Sequence, residues 1–153
     1  MLLWRLSGKA HAEAFDGGYG LSFEGRWNNV GHPVTYCATS PSLCVLEKLV
    51  HIEAPELVPD LIMVTYEVPE VLGLETIGFD RLPENWRYRD SWSQEVGSEW
   101  LRTAKKPLLG VPSAIVPLAD SPDWNVLINH RHPASTSITI RALTPFVLDL
   151  RLL

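Results

Sequence analysis

Three side chains in this 153-residue chain sit where their types and surroundings could do chemistry: Glu47, Arg26 and Ser113. Glu47 lies four residues after Leu43 and three before Val50, so a helix here puts it on the stripe with Leu43, Leu46 and Leu49. A carboxylate on an apolar stripe is costly to desolvate unless it is paired or hydrogen-bonded. Two uses account for it: an internal ion pair with a nearby arginine, or catalysis. Arg26 belongs to Gly25-Arg26-Trp27-Asn28, inside a stretch that also holds Gly17, Gly18, Gly20 and Gly31. A guanidinium in such a turn either offers a bidentate fork to a carboxylate or phosphate, or is a solvated loop charge. Ser113 follows Pro112 between two apolar runs and lacks the glycine-flanked elbow of a hydrolase nucleophile. It is a pocket-facing or a structural hydroxyl.

The remaining reactive types give weaker signals. His130-Arg131-His132 has the spacing of two strand-side ligands, with no acidic third ligand at a useful distance, so no metal site is expected. His51, four residues after Glu47, is expected to cap or pack. Cys37 and Cys44 make neither a disulfide framework nor a zinc pattern and are expected to be buried thiols. Most of the six tryptophans should be core or pocket wall.

The elements that must position these groups can be sketched from pattern. Trp4 to Leu6 is a short first strand. Pro33 to Ala38 is β-prone and ends at Thr39-Ser40-Pro41, where Ser40 caps a helix and Pro41 fits its first turn. That helix should run from Pro41 to Glu53 and stop before Pro55. Leu61 to Val68, apolar on both faces, reads as a central strand. Leu82 to Trp86 is a turn carrying an aromatic. Ser91 to Thr103 is helical, with Trp92, Val96, Trp100 and Thr103 on one stripe. Pro107 to Pro117 gives two short apolar runs, Asp123 to Asn129 fits no pattern firmly, and Ser137 to Leu148 is a strand interrupted near Pro145. No repeat or linker divides the chain, so residues 1–153 form one α+β domain.

Composition sets further limits. At 46% hydrophobic and 20% charged the chain is ordinary globular material. The first residues lack a signal-peptide pattern, and no apolar run is long enough to span a bilayer; a cytoplasmic protein is expected, without membrane contact. Thirteen Lys and Arg against 18 Asp and Glu give a net charge of −5, which argues against direct nucleic-acid binding.

Taken in order, these residues resemble the RES domain, a family named for its arginine, glutamate and serine. The matching blocks are Trp4-Arg5, Glu24-Gly25-Arg26-Trp27-Asn28 with Gly31, Val34-Thr35-Tyr36, Thr39-Ser40-Pro41, Leu46-Glu47 and Val50-His51. Further on come Leu82-Pro83 with Trp86, Gly97 with Trp100-Leu101, Val111 to Ala114, Asn125 to Asn129, His132-Pro133, and Phe146 with Asp149 and Arg151-Leu152. One departure is Asn129-His130-Arg131-His132-Pro133, where the family often carries a proline after the asparagine; it touches a loop shape away from the namesake positions.

The resemblance implies an ADP-ribosyltransferase-like fold, a split mixed sheet with flanking helices around an NAD cleft. It implies a toxin restrained by a cognate Xre-type helix-turn-helix antitoxin that covers the cleft. Arg26, Glu47 and Ser113 correspond to the catalytic set, and Arg5 and Tyr36 to further NAD-binding positions. NAD would be the substrate, with its nicotinamide–ribose bond cleaved by hydrolysis or phosphorolysis, and no metal. That cleavage passes through an oxocarbenium-like centre, for which Glu47 supplies negative charge at the ribose. A nearby arginine or hydroxyl is expected to offset the desolvation of Glu47, with Arg26 or Arg5 the residue expected in that position. Arg26 would clamp the pyrophosphate or ribose diol, Ser113 would bond the ribose or carboxamide, and Tyr36 with a tryptophan would stack on nicotinamide. The alternatives are a protein ADP-ribosyltransferase acting on a cellular target enzyme, in nucleotide metabolism as in some relatives, and a non-catalytic nucleotide- or partner-binding module.

Overall fold

Ser40 takes extended backbone and its hydroxyl accepts from the Leu43 amide, so a helix starts at Pro41 as its capping residues dictate. In the computed structural model, which describes residues 1–153, the elements are β1 (Leu2–Gly8), α1 (Gly18–Ser22), β2 (Val34–Ala38), α2 (Pro41–Leu49), β3 (Leu61–Glu67), β4 (Glu75–Thr76), α3 (Asp90–Thr103), β5 (Leu108–Val111), β6 (Asn125–Asn129) and β7 (Thr139–Phe146). Helix α2 is shorter than expected. His51 and Ile52 leave the α-ladder through tighter bonds, such as His51 N–H to the Lys48 carbonyl, before Pro55 keeps Ala54 extended.

All seven strands join one mixed sheet in the order β4-β5-β6-β2-β1-β3-β7, with only β4 and β5 parallel. β1 and β2 share a single register pair, Trp4 with Ala38, whereas β1 and β3 pair along seven positions. The sheet is thus split at this seam into β4-β5-β6-β2 and β1-β3-β7. Pro145 is tolerated because β7 is an edge strand.

Alternation along the strands separates two faces. Leu3, Cys37, Tyr66, Val126 and Ile128 point to one, where Ala12 and Ile138 from connecting segments cover them. Trp4, Ala38 and Met63 point to the other and pack under Leu43 and Cys44 of α2. On that same face Val34, Leu109, Val111 and Leu127 pack with Trp27 and with Leu101 of α3. Both long helices therefore lie on one face, α2 at the seam and α3 over the β5-β6-β2 half. No helix is long and apolar enough to cross a membrane.

Candidate active site

Strand β6, the segment whose pattern was unreadable, lies between β5 and β2 and carries the floor of the site. Its middle, Val126-Leu127-Ile128, is fully buried, while Asn125 opens it opposite Ala38 on one side and Val111 on the other. Asn125 thus shares the face covered by α2. Its Nδ2 donates to Glu47 Oε1 at 2.6 Å, and Ser113 Oγ donates to the same oxygen at 3.0 Å. The expected arginine beside Glu47 is absent: none of the chain's five ion pairs includes it. Two neutral donors take that place.

The helix delivers Glu47 differently from the expected stripe. Leu43 and Cys44 are the buried residues of α2, whereas Leu46 and Val50 are 38% and 60% exposed. Glu47 is half-buried at the border of the packed face, where it meets β6 and the turn after β5. Ser113 is fully buried there, and its Oγ accepts from the amides of Ile115 and Val116 at 3.0 and 3.2 Å.

Arg26 approaches from the other side of the same face. Its Nη1 donates to the Arg87 carbonyl at 3.0 Å and pairs with Asp90 at 3.1 Å, at the start of α3. The loop around it is tied down at several points. Tyr36 Oη accepts from the Trp27 amide at 3.1 Å and donates to Asn28 Oδ1 at 2.6 Å. Ser93 Oγ donates to the Arg26 carbonyl, Gln94 Nε2 to the Gly25 carbonyl, and the Asn29 amide donates to Ser98 Oγ. Burial pushes the Tyr36 phenol above its ordinary range, so it stays protonated and can donate. Gly97 is required here because the Trp27 carbonyl oxygen lies 1.8 Å from where a Cβ would stand. The buried face of α3 is accordingly Ser93, Gly97, Ser98 and Leu101, with Trp92, Val96 and Trp100 flanking it and Thr103 exposed.

Glu47, Ser113, Tyr36 and Arg26 therefore gather on one face, with Asn125 and Tyr36 two residues apart in register on the floor between them. Glu47 and Arg26 are not bonded to each other. Arg5 is not part of this group. It projects to the opposite face with Leu3 and Ser7, its Nη2 donating to the carbonyls of His11, Ala12 and Ala14 and its guanidinium 5.8 Å from the Tyr66 ring. The cysteines are buried and free, His130 bonds Thr35 Oγ1, and His132 caps the Ala134 amide. His51 is exposed and, with Lys48 and Pro59, lines a separate surface hollow of about 280 Å³.

A match to the RES domain covers residues 2–149. The chain belongs to the RES domain family. Among curated relatives, "Toxin Res" of Photorhabdus laumondii is 38% identical over 84% of this chain and 81% of its own length. "Toxin Res" of Pseudomonas putida is 36% identical over 99% of both chains. The "Prs ADP-ribosylating toxin" of a Sphingobium species is 32% identical over 98% of this chain and 95% of its own length. In fold, this RES domain is similar to the solved M. tuberculosis MbcT–MbcA toxin–antitoxin complex, with a TM-score of 0.67 at 19% identity over 95% of this chain and 84% of that one. The resemblance read from the sequence blocks and the expected α+β architecture are both confirmed. Asn125, which sequence reasoning missed, was visible only as a member of one matching block.

Proposed function

We propose that this RES-domain toxin binds NAD on the face shared by α2 and α3 and cleaves its nicotinamide–ribose bond, depleting the cell of NAD. The observation that carries the reading is Glu47: a half-buried carboxylate with no cationic partner, held by Ser113 and Asn125. Nicotinamide leaves neutral while positive charge grows on the ribose, so the reaction needs a fixed negative charge there and little acid assistance. Neutral donors suit this better than the arginine that was expected. A second cation about 4 Å from the ribose would oppose the developing charge by roughly 4 kcal/mol at an effective dielectric near 20. Arg26, already carrying one carboxylate at Asp90, exchanges it for a pyrophosphate oxygen. Ser113 acts through the carboxylate, in place of the direct contact with ribose or carboxamide that was expected. Tyr36 fastens the Arg26 loop and offers its ring edge as floor. Arg5 shapes the opposite face by gathering three carbonyls.

A second reading has one observation in its favour, the Sphingobium relative's name: the ADP-ribosyl group goes to a side chain of a cellular target enzyme instead of water or phosphate. An antitoxin of Xre helix-turn-helix type, covering the cleft in the cytoplasm, completes the proposal, supported by a structural neighbour solved as a toxin–antitoxin complex. Incubating the purified protein with labelled NAD, with and without phosphate and with cell lysate, tests it. Free ADP-ribose, its 1-phosphate or a labelled protein band identifies the acceptor. Intact NAD in all three arms rejects the reading.

A further inference from the structure

Both donors to Glu47 converge on one oxygen. Asn125 Nδ2 and Ser113 Oγ bond Oε1, and no polar group of the chain bonds Oε2. The Ser113 proton has nowhere else to go, since the amides of Ile115 and Val116 already use the lone pairs of Oγ. Asn125 is equally constrained: ladders to β2 and β5 fix its backbone, and only its amide nitrogen can face a carboxylate oxygen at 2.6 Å.

We propose that Asn125 is a positioning residue of the reaction: with Ser113 it locks Oε1 of Glu47 and leaves Oε2 as the single ligand-facing oxygen. The inference rests on the reading of Glu47 as the carboxylate at the ribose. The terminal torsion of a glutamate is soft, so an untethered carboxylate spreads over many orientations. Two donors on one oxygen hold its plane, and because both are neutral they leave its charge intact for the developing cation. Asn125 touches Glu47 and acts through it. Its effect belongs to turnover, where orientation of the charge counts, and not to ground-state binding of NAD.

The test measures nicotinamide release by wild-type protein, Asn125→Ala, Asn125→Asp, Glu47→Gln and the Asn125→Ala/Glu47→Gln double variant, with thermal melts of each. Losing one hydrogen bond to a charged group is expected to lower kcat of Asn125→Ala about 10- to 100-fold while KM for NAD stays within about threefold. In the Glu47→Gln background the same change is expected to lower the residual rate by less than about threefold, because the two residues act as one unit. Asn125→Asp keeps the shape and loses the donor. It should be nearly inactive at pH 8 and regain turnover towards pH 5, where a protonated carboxyl can again donate to Glu47, a recovery that wild type does not show. This arm stands even if the alanine variant fails to fold. The proposal is overturned if Asn125→Ala keeps wild-type kcat, if it changes KM alone, if its effect is unchanged in the Glu47→Gln background, or if Asn125→Asp shows no acid recovery. Wild-type turnover by Glu47→Gln would bring down the reading of Glu47 and this inference with it; an inactive Glu47→Gln beside a fully active Asn125→Ala would remove only the inference.

Discussion

Replacing Gly97 by alanine probes how the Arg26 loop is held. The added Cβ would stand 1.8 Å from the Trp27 carbonyl oxygen and 2.8 Å from its carbon, both backbone atoms. Reaching even 3.0 Å requires α3 and the loop to part by about 1.2 Å, a displacement that no side-chain rotation can absorb. The bonds from Ser93 to the Arg26 carbonyl at 2.5 Å, from Gln94 to the Gly25 carbonyl at 3.0 Å and from the Asn29 amide to Ser98 at 2.9 Å cross this same contact. Overpacking of this kind costs about 1–3 kcal/mol, and weakening two or three neutral hydrogen bonds adds about 1 kcal/mol each when not relieved by water. Together these terms give a loss of about 3–6 kcal/mol, which lowers the Tm of a chain this size by at least roughly 6 °C. Misplacing Arg26 by about 1 Å is expected to slow NAD turnover on the order of a hundredfold. Melting followed by circular dichroism, together with nicotinamide release below the melt, reads both. A Gly97→Ala protein that melts within 2 °C (roughly 1 kcal/mol) of wild type and turns over NAD normally would refute the claim that this close approach holds the loop.

Other consequences are more local. Arg26→Lys loses the planar fork but keeps a charge at a partly exposed position, so KM for NAD should rise roughly tenfold with Tm nearly unchanged; an unaltered KM would remove Arg26 from the binding site. Burial, with the Arg5 charge assisting and Asp16 opposing, holds the His130 imidazole below its ordinary range. As pH falls through about 6.5 the unfolded chain takes up that proton first, so stability present above this value is lost towards acid. His32 is lowered as well, by burial and by Arg131 and Arg102, so His130→Gln should shrink the drop in Tm between pH 7.5 and 5.5 without abolishing it, and an undiminished drop would contradict the assignment. Burial also pushes the Cys44 thiol up to about 12 and that of Cys37 higher still, so a thiol reagent at pH 8 should label neither in the native protein and both in denaturant.

Where local chemistry decided the structure, the sequence was readable. Ser40 and Pro41 set the start of α2, the apolar run from Leu61 set β3, and the pattern from Ser91 set α3 to within a residue. Where tertiary contact decided, it was not. Strand β6 begins and ends with asparagines whose polarity disguises a buried strand: Asn125 is bonded to Glu47, and Asn129 donates to the Leu101 carbonyl inside the core. The stripe of Trp92, Val96 and Trp100 does pack against the core, but the most deeply buried positions of α3 include the small residues Ser93, Gly97 and Ser98 beside it, with a loop backbone lying against Gly97. Glu47 was legible as a carboxylate out of place. Its partners were not, since Ser113 and Asn125 lie 66 and 78 residues away and neither carries a charge to complement a carboxylate. Arg5 belonged to the right block of sequence, but strand alternation sends it to the other face.

In the proposed reaction the half-buried charge of Glu47 is what lets the nicotinamide–ribose bond break. Glu47→Gln keeps the size of the side chain and an oxygen for Ser113 and Asn125 to bond, while it removes the charge and puts an amide nitrogen where Oε2 stood. Nicotinamide release from NAD by the two purified proteins, compared at equal fold content by circular dichroism, tests the claim most directly. Glu47→Gln is expected to bind NAD with little change and to release nicotinamide on the order of a hundredfold more slowly, or slower still. Equal rates from the two proteins would contradict it.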